Sequence, residues 1–191
     1  KETHEFDKQQ LAKLHTLDVS KLDSAALLSY KLFEKKLQDD IADYKWRYHN
    51  YPVNQMFGVH SLIPSFLINI HQVADAKDAK AYIARLNAVP TLFEQLIAGL
   101  ETRKEKKIIA PKFVFPHVIR DSQNVIKGAP FEKGEDSTIL ADFKRKVNAL
   151  ELSDKEKEKL VKKAKVALKK KVGPSYKKLI SYLEGLQKHA D

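Results

Sequence analysis

Across most of its length the chain returns an apolar side chain every three or four residues, and that period commits it to amphipathic helix. Tyr30, Phe33, Leu37, Ile41 and Tyr44 keep the step over about four turns. Leu92, Leu96 and Leu100 repeat it, as do Ile139, Phe143, Val147 and Leu150, and then Val161, Ala164, Leu168 and Val172. The pattern predicts an all-α fold: an irregular helical bundle of roughly seven to nine helices in one domain. No internal repeat of fixed period is present.

Capping and breaking residues set the expected boundaries. Phe6, Leu11, Leu14 and Leu17 place a first helix over residues 5–17, on one apolar face. Asp23 caps the second, which Pro52 obliges to end near Trp46 to Asn50. Residues 75–88 resume the helical period until Pro90, which is expected to push Val89 out of the helix and start a new one, with Thr91 and Glu94 as a capping box. The β-branched and aromatic run between Pro111 and Pro116 has the makings of a short strand and is read instead as an extended lead-in to a helix from His117. Glycine, proline and charge mark residues 127–136 as an internal loop. Ser153 and Glu156 have capping-box spacing, and Gly173-Pro174 is expected to break the helix that follows. If the last helix is cut near its end, Leu183 and Leu186 are expected at the surface.

One stretch does not follow the period. In residues 50–67, "NYPVNQMFGVHSLIPSFL", two prolines, a glycine, an Asn-Gln pair and a histidine interrupt an apolar run. An irregular backbone leaves N–H and C=O groups to be paired, so Asn54 and Gln55 either stitch this loop shut or line a cleft. Met56, Gly58 and His60 belong to the same candidate site.

Composition excludes several chemistries. The chain has no cysteine, hence no disulfide, zinc thiolate or thiol nucleophile. No run of about 18 uncharged apolar residues is available to span a bilayer. The N-terminal "KETHEFDKQQ" lacks the apolar core of a secretory leader, so none existed or it preceded this numbering. A net charge of +10 invites phosphate, but thirty lysines against five arginines supply few of the forked donors that nucleic-acid recognition favours, and no nucleic-acid partner is expected.

Catalytic spacing is equally sparse. His4-Glu5 has no second histidine one turn on, so a zincin pair is absent. His49, His60 and His71 recur every eleven residues, yet Pro52, Gly58 and Pro64 forbid the one helix that would align them. There is no phosphate loop and no nucleophile elbow. Twelve lysines face six acids in residues 151–191, and Lys162, Lys163, Lys165, Lys169 and Lys170 form a candidate basic surface on a helix face opposite the apolar stripe.

Taken in order, "LDSAALLSYKLFEKKLQDDIADYKW", "YPVNQMFGVHSLIPSFL", "DAKAYIARLNAVPTLFEQLIAGL" and "VGPSYKKLISYLEGL" resemble the N-terminal portion of the bacterial domain-of-unknown-function 885 proteins. Asn54-Gln55-Met56 followed by Gly58 is the most specific piece, with Tyr82, Arg85-Leu86, Pro90 and Pro174–Tyr176 at matching intervals. Phe57 stands where a second glycine is common. The family is similar to helical zinc metallopeptidases whose H-E-x-x-H motif lies well beyond the length of this chain. The resemblance implies a non-catalytic N-terminal fragment: a cleft wall or lid, with no metal ligand of its own, working with a C-terminal catalytic region that holds the zinc and with a peptide substrate. It also implies a periplasmic or cell-envelope location after loss of a leader, with the cytoplasm as the other option. A different reading is an interaction module that binds an acidic partner or anionic surface through its lysine-rich helices, 154–188.

Overall fold

In the computed structural model, which describes residues 2–191, the chain is helical, with no strand among the described residues. It divides into two compact units, residues 1–50 and 51–191. The helical periodicity carries no sign of that division.

The first unit is a helical hairpin. Helix α1 (Glu2–Leu14) leads through a short 3-10 turn to α2 (Ser24–Asp43), and a second 3-10 turn closes the unit at Tyr44–Trp46. Asp23 caps α2 by accepting from the Ala26 amide at 2.8 Å. His4 stacks on Tyr44 with ring centroids 3.9 Å apart, and His15 meets Glu34 at 2.6 Å. The expected apolar faces are only partly covered. Leu37 is buried, but Phe6 and Phe33 are exposed, and Leu17 lies beyond the end of α1. Two facing helices bury one stripe each, and a side chain on the flank of the stripe stays wet.

The second unit is organised by α4 (Ala76–Glu105), which packs against α7 (Asp154–Ala167) and α8 (Gly173–Leu186). Helix α5 (Val114–Val125) lies on α8, and α6 (Thr138–Asn148) on α7. The buried core joins Tyr82, Leu86, Phe93, Phe143, Leu168 and Tyr176, with Phe93 and Tyr176 edge to face at 4.8 Å. Ile139, Phe143, Val147 and Leu150 are all buried, in the register their spacing predicts. The Ser153–Glu156 capping box forms, and the Ser153 hydroxyl and amide hold the Glu156 carboxyl below its usual range.

Three expected breaks are corrected. Helix α4 runs unbroken through Pro90, and Asp75, not Thr91, caps it by accepting from the Lys77 and Asp78 amides. Its buried face on either side of the proline is Leu86, Val89, Phe93, Leu96 and Leu100, while Leu92 is exposed. An interior proline costs roughly 3 kcal/mol. Burying several large side chains, at about 1.5–3 kcal/mol each, outweighs it. The helix expected from His117 begins at Val114. Pro116 falls in its first turn, where a missing N–H leaves no bond unmade. Gly173-Pro174 does not stop α7 either. A π turn, Leu168–Val172, carries α7 into α8, and the Gly173 amide reaches back to the Leu168 carbonyl. The wider turn makes room for the Pro174 ring, and Ser175 donates to the Lys171 carbonyl at 2.7 Å.

Residues 127–136 form a loop closed by its own backbone. Ala129 donates to the Glu135 carbonyl at 2.7 Å, and Ser137 to that of Ala129 at 2.8 Å. Gly128 takes a φ of 82°, and a Cβ there would stand 2.5 Å from the Glu135 oxygen. Leu183 and Leu186, expected at the surface, are buried against the core. No helix among the described residues is long and apolar enough to cross a membrane.

Candidate functional site

The irregular stretch folds into a pinned turn followed by a short helix. Asn54 does the pinning: its Oδ1 accepts from the Met56 and Phe57 amides at 2.9 and 2.8 Å, and its Nδ2 donates to the Tyr51 carbonyl at 3.0 Å. A short side chain that carries both donor and acceptor can close such a turn on itself. Gln55, Met56 and Phe57 form the exposed tip, Phe57 at 82%. The Val59 amide returns to the Pro52 carbonyl at 2.9 Å and opens α3 (Val59–Ser65).

Gly58 is required by close packing. A Cβ on it would fall 2.3 Å from His60 Nδ1 and 2.8 Å from the Asn54 carbonyl oxygen. His60 is buried, and its Nδ1 has no hydrogen-bond partner. Burial holds its imidazole below the ordinary range, against a weaker opposing pull from Asp121. Tyr176 ties the same residue to the core by donating its hydroxyl to the His60 carbonyl at 2.5 Å.

Beyond Pro64, α3 widens into a π turn, Phe66–Ile70, whose terminal carbonyls point at a lysine from far along the chain. Lys146 Nζ donates to the carbonyls of Leu67, Ile68 and His71 at 2.7, 2.9 and 3.0 Å. It also sits 2.8 Å from Asp142 Oδ2, while Arg145 takes Oδ1 at 2.6 Å. A cation at a helical C-terminus meets carbonyls that have no amide of their own. Tyr82 packs its ring against this ammonium at 5.6 Å, and burial, reinforced by the Asp142 charge, pushes its hydroxyl above the usual tyrosine range. His71 accepts from Arg85 Nη1 on Nδ1 at 2.6 Å and meets the Asp78 carbonyl through Nε2 at 3.2 Å, a pairing that puts the ring proton on Nε2. No sequence signal pointed to Lys146, which lies 79 positions from Leu67.

Between α3 and α4 the surface carries an apolar groove of about 430 Å3, lined by Val59, Leu62, Ile63, Phe66, Val89 and Leu92 among others, with Arg85 the sole charged side chain. Leu62 and Leu92 are exposed, and Arg85 is fixed by His71 and stands over the Phe66 ring at 5.6 Å. Such a groove receives apolar side chains and can hold one carbonyl or carboxylate by its guanidinium.

The other candidates are dispersed. His60 and His71 face separate environments, and no three histidine or acidic side chains among the described residues converge as a metal site. Lys162, Lys163, Lys165, Lys169 and Lys170 are exposed along α7 and the π turn after it.

The family described as "Bacterial protein of unknown function (DUF885)" matches residues 1–191. No curated protein matches. Among solved structures the fold is similar to that titled "The crystal structure of the putative lipoprotein from Colwellia psychrerythraea", with a TM-score of 0.73 at 20% identity. The match covers 98% of this chain and 34% of that one, so this chain spans about a third of that protein's length.

Proposed function

The chain belongs to the DUF885 family of bacterial proteins of unknown function, and on that footing we propose that it serves as a non-catalytic N-terminal helical domain, the wall or lid of a substrate cleft, in a zinc-dependent peptidase. The observation that carries this reading is the apolar groove between α3 and α4 with its single guanidinium. An extended peptide would lay apolar side chains against Val59, Leu62 and Leu92, and Arg85 would take a carbonyl or carboxylate, as binding clefts set a few polar groups among apolar walls. Asn54 contributes by holding the turn that leads into α3. Zinc and its ligands belong to polypeptide outside these 191 residues, a reading supported by the greater length of the Colwellia protein. A cell-envelope location is proposed with it, supported by the description of the Colwellia protein as a putative lipoprotein.

The test uses a longer protein that carries the H-E-x-x-H motif. Leu62→Ser and Leu92→Ser alter exposed residues, so both should leave Tm unchanged while lowering kcat/KM for apolar peptides by about tenfold, the worth of one or two lost methylene-sized contacts. Unchanged kcat/KM would remove the groove from the cleft. A second reading, an interaction module for an acidic partner, is supported by the exposed lysines along α7, Lys162, Lys163 and Lys165 among them.

A further inference from the structure

On the face where α4 and α7 run side by side lies a second groove, of about 620 Å3, lined by Lys80, Ile83, Ala84 and Asn87 from α4 and by Lys159, Lys162, Lys163, Val166 and Ala167 from α7. Its floor is apolar, with Val166 48% exposed and Ala84 also open to solvent. Four lysines and no acid line it, with Asn87 the one neutral polar side chain. Among the described residues, no carboxylate stands at ion-pair distance from any of the four ammonium groups. Glu156, close enough to feel the charge of Lys159 and Lys80, is already engaged by the Ser153 hydroxyl at 2.6 Å.

We propose that this groove docks an amphipathic helix of a partner, one with an apolar stripe flanked on both sides by acidic side chains. The shape favours a helix. The lining residues on each wall, Lys80 to Asn87 and Lys159 to Ala167, span roughly 10–12 Å at about 1.5 Å per residue, which is two turns. A third helix laid in the seam of two packed helices buries its own stripe on Ala84 and Val166. Glutamates at a spacing of three and four on its flanks then meet Lys80 from one wall and Lys159, Lys162 and Lys163 from the other. A membrane surface is the competing occupant, and the vesicle arm of the experiment separates the two. The inference deepens the interaction-module reading and rests on it; it is independent of the peptidase one.

The experiment measures binding of the 191-residue chain to a fluorescein-labelled synthetic helix of about 14 residues, Leu and Ala on one stripe and Glu flanking it, by polarisation. Three comparisons accompany it: the same composition with the stripe scrambled, the same helix with Gln for Glu, and phosphatidylserine–phosphatidylcholine vesicles. The intact helix is expected to bind, to weaken about tenfold or more between about 50 and 300 mM NaCl, and to lose binding in Lys80→Glu/Lys162→Glu but not in Lys169→Glu/Lys170→Glu, which carries the same charge change off the groove. Equal loss in the two variants, or equal binding of the scrambled helix, overturns the groove and leaves only a basic surface. No binding of any acidic probe overturns both the groove and the interaction reading. Binding to vesicles without binding to the helix assigns the lysines to a membrane and overturns the helix.

Discussion

At the scale of single residues the second unit is fastened by polar groups buried in an apolar setting. His60 is the sharpest case: its ring fills the space over Gly58, its carbonyl takes the Tyr176 hydroxyl, and its Nδ1 is unpartnered. Burial lowers its folded pKa beneath that of the unfolded chain. The unfolded state then binds the extra proton as pH falls, so the stability tied to a neutral His60 is present above the unfolded value of about 6.5 and is lost below it. Thermal unfolding followed across that window should show a falling Tm in the native chain and a shallower fall in His60→Gln, which cannot titrate. Parallel profiles would show that another group sets the slope. That an irregular segment lay at residues 50–67 was legible from its prolines and from polar residues in an apolar run. Asn54 closing a turn was one of two readings open to any amide there, and only its three hydrogen bonds separate it from Gln55, which is exposed.

At the scale of elements the helices were legible where period and caps agreed, as in α6 and at the Ser153 box. Prolines misled. The local cost of Pro90 and Pro174 predicts a break at each, whereas tertiary burial on both sides of Pro90 and a π turn before Pro174 absorb that cost. No local pattern reports either remedy. The π turn after α3 shows the same dependence on distance, because its open carbonyls are satisfied by Lys146 of α6. Lys146→Met keeps the apolar stem, strips three carbonyls of their donor and leaves the buried Asp142 with Arg145 alone. Removing one partner of a buried pair costs about 3 kcal/mol or more. In a chain of this size that is roughly 6–12 °C in Tm. Adding Asp142→Asn should recover part of the loss, since it removes the uncompensated charge. A change within about 1 kcal/mol, read from urea titrations, would mean that water takes over the carbonyls.

At the scale of the whole molecule the burial is unevenly shared. Every member of the hydrophobic core cluster lies at Val53 or later, where α7 and α8 pack on the long α4 and carry α6 and α5 in turn. Among the described residues of the first unit, Leu37 is the one buried hydrophobic side chain, with Phe6, Leu28, Leu32 and Phe33 exposed. A two-helix hairpin with so little buried area does not offset the entropy of ordering its chain. Expressed separately, residues 51–191 should therefore unfold in a single cooperative transition, with the same midpoint by far-ultraviolet and near-ultraviolet circular dichroism. Residues 1–50 alone should show weak helicity that rises smoothly on cooling, as isolated helices do. A fragment 51–191 that kept its far-ultraviolet signal while losing its near-ultraviolet one would be a molten state, and the core would then need the first fifty residues to set its packing. The reverse result, a cooperative melt for residues 1–50, would mean that the exposed side chains of α2 find a partner in a second copy, which sedimentation would reveal as a dimer.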